Sequence, residues 1–252
     1  MIRTLFEKLS RGMVVKRRLP SRMGGDRVFV SPDSALQYWK LNLEAGSKML
    51  FDFAEQYVRP GDVVWDIGAN VGLFTFAAAY AAGAAGKVVA VEADVFLVEL
   101  LQKSVAARSR DRAEVMVLPV AVSDDIGIAQ FHIARRGRST NHLACSEGST
   151  QTGGVRETNS VMTITLDWLA NQLAPPRVLK IDVEGAESRV LQGAEQILVR
   201  TKPVVLCEIS EQNADTCTQF LHAHSYTLYD FDSPDRAKIL RASFNTLAVC
   251  EC

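Results

Sequence analysis

From Val63 onward, short apolar runs alternate with segments of helical spacing, and this alternation limits the available folds more than any other feature. Residues 63–67 (VVWDI) read as a buried strand, Gly68 breaks it, and residues 71–82 read as a helix. Residues 87–92 form a second strand and 95–106 a second helix, and strand signals over 115–122 are extended by 129–133. Farther on, 178–182 and 204–209 read as strands, with helical spacing over 187–199 and 214–222; residues 226–231 and 246–249 close the chain as strands. Strands separated by helices pair in parallel through crossovers, so the pattern predicts an α/β sheet with helices on both faces.

Residues 1–45 stand apart as a basic N-terminal extension, and residues 46–252 read as the main domain. Its first 27 residues are basic, with Arg3, Lys8, Arg11, Lys16, Arg17, Arg18, Arg22 and Arg27 against Glu7 and Asp26. Ile2, Leu5, Phe6 and Leu9 predict a helix over 2–11, followed by turns at Pro20, Gly24-Gly25 and Pro32. A second helix around 50–57 ends at Pro60-Gly61. Residues 144–159 are polar and glycine-rich and predict a long loop, either disordered or a lid. The net charge of −1 argues against a nucleic-acid binder driven by a basic surface. Five cysteines without a C-x-x-C pair or metal-ligand spacing read as free thiols. The longest low-polarity stretch, 71–86, is too short and too rich in Gly and Ala for a membrane span, and no secretory signal is evident. The expectation is a cytoplasmic protein.

The turn after the first strand, Asp66-Ile67-Gly68-Ala69-Asn70-Val71-Gly72, is where an open α/β sheet binds its ligand. Gly68 and Gly72 let the backbone approach closely, and Glu92, ending the next strand, can accept both hydroxyls of a ribose. The pattern is D-x-G-x-N-x-G, not G-x-G-x-x-G. A pyrophosphate favours bare N–H groups with no acid nearby. Asp66 suits a cationic ligand, and S-adenosylmethionine, with its ammonium and sulfonium, fits better than a dinucleotide. A nicotinamide-dependent oxidoreductase and a non-catalytic cofactor-binding module are the alternatives.

Residues 178–187 (VLKIDVEGAE) and 190–194 (VLQGA), preceded by Thr165-Leu166-Asp167, resemble the signature of the FkbM family of S-adenosylmethionine-dependent methyltransferases. The Asp66–Gly72 turn is similar to that family's first motif, and residues 203–208 resemble its next strand. The likeness runs from about residue 44 to 210. One departure is Glu92-Ala93, where the family often has Glu-Pro; the carboxylate is kept. The resemblance implies a Rossmann-like, mostly parallel sheet of seven strands, with a reversed terminal hairpin over 226–231 and 244–249. It implies O-methylation of a hydroxyl on a sugar, polyketide or other small-molecule or glycan acceptor.

Carried over position by position, Asp66, Gly68, Asn70 and Gly72 would line the methionine half of the cofactor, with Thr75 bonding its carboxylate. Glu92 would hold the ribose, and Ser123-Asp124 would reach the adenine amine. Asp182 is the first choice for a place at the reacting centre. Asp182, Glu184, Glu208 and His142 are the candidates for the base that takes the acceptor's proton. Lys180 alternates with Asp182 and is placed to pair with a neighbouring carboxylate. Tyr38 and Trp39 stack on an acceptor ring or pack against the first helix, Asn245 lies near the substrate mouth, and Glu187 pairs on its helix surface. Mg²⁺ on Asp182, Glu184 and Glu208 is compatible with the residue types but not required. The acceptor, the choice of oxygen or nitrogen and homo-oligomer formation stay open.

Overall fold

The computed structural model describes residues 7, 9–146 and 152–250. The predicted helix over 2–11 falls mostly outside them. A hairpin, β1 (Val15–Arg18) and β2 (Arg27–Val30), opens the described chain. The helix α1 (Glu44–Tyr57) follows, with a non-helical residue at Ser47. Then come β3 (Val63–Ile67), α2 (Leu73–Ala82), β4 (Lys87–Val91), α3 (Val95–Ala107) and β5 (Glu114–Leu118). An insertion contributes β6 (Ala121–Val122), β7 (Gly127–Ala134), β8 (His142–Leu143) and β9 (Val155–Ile164). After it run α4 (Leu166–Ala170), β10 (Val178–Ile181), α5 (Glu187–Gln192), α6 (Glu195–Arg200), β11 (Val204–Glu208), α7 (Ala214–Ala223), β12 (Tyr226–Asp230), β13 (Lys238–Ile239) and β14 (Asn245–Cys250).

The main sheet has the order β13-β12-β14-β11-β10-β3-β4-β5. The five strands from β5 to β11 pair in parallel, and β14 runs against both β11 and β12. The expected seven strands are therefore eight, because Lys238–Ile239 adds a two-residue edge beside Leu228 and Tyr229. The central strands are apolar runs because both their faces are covered. Val64, Val88, Val178 and Leu206 pack under α1, α2 and α3 with Phe51, Phe53, Phe74 and Phe76. Trp65, Ile67, Val89, Leu179 and Cys207 pack on the other face with Val190, Leu191, Ile197, Leu198 and Leu221. Cys207 and Cys217 are buried free thiols, and Cys145 is an exposed one.

Strand order turns back on itself between β3 and β10. The chain builds outward from β3 to β5, then returns to the other side of β3. The crevice this leaves at the carboxyl ends of β3 and β10 is the topological switch point.

Two corrections concern the insertion. Residues 115–122 and 129–133 do not continue one strand; β6 to β9 form a separate four-stranded sheet of order β6-β9-β7-β8. The expected loop over 144–159 is a strand from Val155, paired with β7 from Ala134 back to Gly127. Its polar residues alternate along a hairpin with an exposed face, which reads as a loop when the partner strand is not known. Residues 147–151 lie outside the described part. Among the described residues no helix is long and apolar enough to cross a membrane.

Candidate active site

Strand register brings the charged residues together. Lys180 on β10 is level with Asp66 on β3, and both side chains project to the α2 face of the sheet. Asp182 and Glu208 follow two residues beyond Lys180 and Leu206, which are themselves level, so they emerge on the same side at the strand ends. The Lys180 ammonium touches the carbonyl oxygen of Gly68 at 3.1 Å, Asp182 Oδ2 at 3.0 Å and Asp66 Oδ1 at 3.4 Å. Burial lowers its basicity, and Asp182, Asp66 and Glu208 more than reverse that, so it stays a cation. Asp66 is wholly buried, and its second oxygen accepts the Thr75 hydroxyl at 2.5 Å.

Above this pair the turn brings two backbone segments into close contact. Gly68 has φ 74°, and a Cβ there would lie 1.7 Å from the carbonyl oxygen of Asp182. Asn70 also adopts a left-handed conformation, with φ 53°, and its Oδ1 accepts the Ser34 hydroxyl at 2.6 Å. Glu92 reaches over from β4; its two oxygens accept the N–H groups of Asn70 at 2.7 Å and Asp94 at 2.8 Å. Burial pushes its carboxyl up to about 7, against the pull of those N–H groups.

Two cavities flank the turn. One lies beyond β4 and the insertion and is lined by Gly68, Asn70, Glu92, Val122, Phe131 and Leu143 among others. The other lies beyond β10 and β11 and is lined by Tyr38, Leu50, Phe74, Lys180 and Glu208 among others. Asn70, Ser139, Asp182 and Glu184 border both. Burial pushes Glu184 and Glu208 up to about 8 each, and Asp182 pushes both further in the same direction. Among the described residues neither glutamate side chain makes a hydrogen bond.

The expected residues divide into three groups. Gly68, Asn70, Glu92, Asp182 and Glu184 meet at the first cavity, and Glu208 joins Asn70, Asp182 and Glu184 at the second. Asp66, Thr75 and Gly72 lie beneath the turn: the first two bond each other, and Gly72 packs against Leu101 and Phe76. Ser123, Asp124 and His142 line neither cavity. Ser123 donates to Asp124, which pairs with Arg189 at 3.1 Å. His142 sits on β8 between Asn141 and Leu143, which line the first cavity, so alternation turns its ring away, toward His132. Asn245 is likewise bonded elsewhere, to Asp232. Glu187 is not on a helix surface; it is buried and accepts from Gly185 N, Ser210 and Asn213, bracing the loop that carries Glu184. Trp39 is exposed, whereas Tyr38 is buried against the second cavity. Among the described residues no three His, Cys, Asp or Glu side chains are placed to hold a metal ion.

Sequence reasoning missed the clasp over the cleft. Arg138 pairs with Asp94 at 2.6 Å and Asp33 at 2.9 Å, Arg156 pairs with Asp33 at 2.9 Å, and Asn141 donates to Asp94 at 2.8 Å. Only Asp94 left a local signal, as the residue before an apolar helix; it caps α3 by accepting from Phe96 N.

The profile of the Methyltransferase FkbM domain matches residues 66–231. The hexuronic acid methyltransferase AglP of Haloferax volcanii is 26% identical over 182 residues, which is 69% of this chain and 66% of that protein. The crystal structure of a methyltransferase FkbM from Methylobacillus flagellatus is similar with a TM-score of 0.49 at 14% identity, over 79% of this chain and 50% of that one. Fibrillarin from Aeropyrum pernix, crystallised with natively bound S-adenosyl-L-methionine, gives a TM-score of 0.46 at 14% identity, over 94% and 87% of the two chains. The chain thus spans about two thirds of the curated relative and half of the FkbM structure. The match runs from the Asp66 turn through the Asp182 loop, and the chain belongs to the FkbM methyltransferase family.

Proposed function

We propose that the protein transfers a methyl group from S-adenosylmethionine to a hydroxyl of a small-molecule or glycan acceptor, with the cofactor in the first cavity and the acceptor in the second. The observation that carries this is the shared wall: Asn70, Asp182 and Glu184 border both spaces, so groups bound in each meet there. Residues 46–252 are read as the catalytic domain, and the extension before it as a cover that supplies Asp33, Ser34 and Tyr38. The same reading puts the reaction in the cytoplasm.

The residues present suit the cofactor. Each Glu92 oxygen spends one lone pair on a backbone N–H and keeps another for a ribose hydroxyl. Val122, Phe131 and Leu143 offer an apolar slot for a purine. Gly68 leaves bare backbone where a Cβ could not fit. Asp66 and Thr75 act from beneath, fixing the turn without touching the ligand. Bound there, the cofactor supplies a methyl group on a cationic sulfur, a leaving group that needs no activation.

The protein's task is then alignment and proton removal. Holding two reactants in line is worth about 7–11 kcal/mol of barrier, and a positioned base adds about 10²–10⁴-fold. Asp182 is anchored by Lys180, which suits a carboxylate that orients. Glu184 and Glu208 have no such anchor and are pushed up to about 8, which suits groups that accept a proton near neutral pH. The curated relative's hexuronic acid substrate supports a sugar as acceptor. Calorimetric titration with S-adenosylhomocysteine tests the reading. Micromolar binding is expected; no heat at millimolar ligand rejects it.

A further inference from the structure

The second cavity has an electrostatic character that narrows the acceptor. Its wall carries Asp182, Glu184 and Glu208 against a single cation, Lys180. An ammonium has three donors. Lys180 donates to the Gly68 carbonyl and to Asp182 and pairs at 3.4 Å with Asp66, so its charge is already matched by two carboxylates. Arg138, which lines the first cavity, is matched to Asp94 and Asp33. Counting Asp66 behind the wall, an anion entering here would meet two carboxylates against one lysine, a negative field that grows as Glu184 and Glu208 ionise.

The same wall is well supplied for neutral partners. Glu184 and Glu208 are half-buried and make no hydrogen bond among the described residues, so their oxygens are free for hydroxyl groups. Opposite them, Tyr38, Leu50 and Phe74 present apolar surface for the C–H face of a ring. Carboxylates facing an aromatic wall form a site for a polyhydroxylated ring.

We propose that the acceptor is a sugar-like ring with no anionic group on the part that enters the second cavity, and that this site discriminates against carboxylate-bearing sugars. The inference rests on the methyl-transfer reading and departs from the curated relative, which is named for a hexuronic acid substrate. Bringing a carboxylate within a few ångströms of others disfavours the charged form of all of them. Removing glutamate charge should therefore relax the discrimination.

The test uses the full chain saturated with S-adenosylhomocysteine at about pH 9.5, well above the value of about 8 to which both glutamates are raised. Methyl glucoside, galactoside and mannoside are each titrated against the corresponding methyl hexuronide, with binding read by saturation-transfer NMR. The neutral member of at least one pair should bind about tenfold or more tighter than its uronide. In the Glu184→Gln/Glu208→Gln double variant the ratio should fall toward unity, mainly because the uronide gains. If S-adenosylhomocysteine itself does not bind, the methyl-transfer reading fails. If it binds and the uronides match or exceed their neutral partners, this inference is overturned and the reading survives. If it binds and no sugar binds at tens of millimolar, the ring class is overturned.

Discussion

The two sides of the switch point handle their carboxylates in opposite ways. On the β4 side every acid is occupied within the fold: Glu92 accepts two backbone N–H groups, and Asp94 caps α3 while holding Arg138 and Asn141. Of the three acids lining the second cavity on the β10–β11 side, only Asp182 has a bonded partner among the described residues, and Glu184 and Glu208 have none. Satisfied groups fix geometry in advance, as suits a ligand common to a family. Unsatisfied groups are tolerable only near solvent or beside something that completes them, as suits a ligand that comes and goes. The contrast predicts that disturbing the first side harms fold and cofactor binding together, whereas disturbing the second leaves both largely intact.

The hardest blow should fall where the two sides touch. Gly68→Ala would place a Cβ 1.7 Å from the Asp182 carbonyl oxygen in a backbone with φ 74°. Backbone has to move, and a loss of about 4 kcal/mol or more is expected in urea unfolding, with no detectable S-adenosylhomocysteine binding. Gly72→Ala, also at positive φ, would meet only the side-chain ends of Leu101 and Phe76 and should cost less, about 1–3 kcal/mol. Equal losses at the two glycines would remove the special standing of the Gly68–Asp182 contact.

Next in size is Lys180→Met. It strands Asp66, whose Oδ1 has Lys180 as its ion partner and no hydrogen bond. Losing one member of a buried pair typically costs about 3–5 kcal/mol. Adding Asp66→Asn should restore part of that, because the orphaned charge goes with it. A loss below about 1 kcal/mol for the single variant would show that the lysine is not what joins the two strands.

Much of this architecture can be read from sequence because it depends on local rules. Gly68 and Gly72 mark a turn only glycine tolerates, Glu92 marks a strand end, and the i, i+2 spacing of Lys180 and Asp182 places them on one face. Long-range closure is not readable in this way. Nothing local tells Asp33 that it will meet Arg138 and Arg156, 105 and 123 residues away. Nor does the sequence decide between Tyr38 and Trp39, of which only Tyr38 lines the second cavity. The insertion is illegible for a related reason: a half-exposed hairpin and a two-residue strand carry little periodicity, so no local pattern fixes where Ser123, Asp124 and His142 point. Register settles them, and register is a property of the pairing.

Glu92→Gln probes the satisfied side more gently. The amide keeps the shape but puts an NH₂ against the Asn70 or Asp94 N–H. Affinity for S-adenosylhomocysteine should fall about ten- to a hundredfold, in line with loss of a hydrogen bond to a charged group. The wild type should lose affinity as pH drops from 8 to 6, by up to about tenfold, because its carboxyl titrates near 7 and the protonated form is the poorer acceptor. The variant should lack that slope, and an unchanged slope would assign the titration to another group.

The smallest effect belongs to the unsatisfied side, and its sign separates the two sides best. Glu208 has a carboxyl raised to about 8 in the fold by burial and by Asp182, against an ordinary glutamate value near 4.5. Below 4.5 both folded and unfolded chains hold the proton, and the glutamate adds no pH dependence. Between 4.5 and 8 the unfolded chain releases it first, so the glutamate's contribution to stability declines as pH rises, and levels off above 8. Glu208→Gln removes that decline. The variant should match the wild type near pH 5 and exceed it at pH 9 by on the order of 1 kcal/mol, while S-adenosylhomocysteine affinity changes less than about twofold. A variant less stable than the wild type at pH 9 would mean that Glu208 is satisfied after all. The acceptor side would then be as fully wired as the cofactor side.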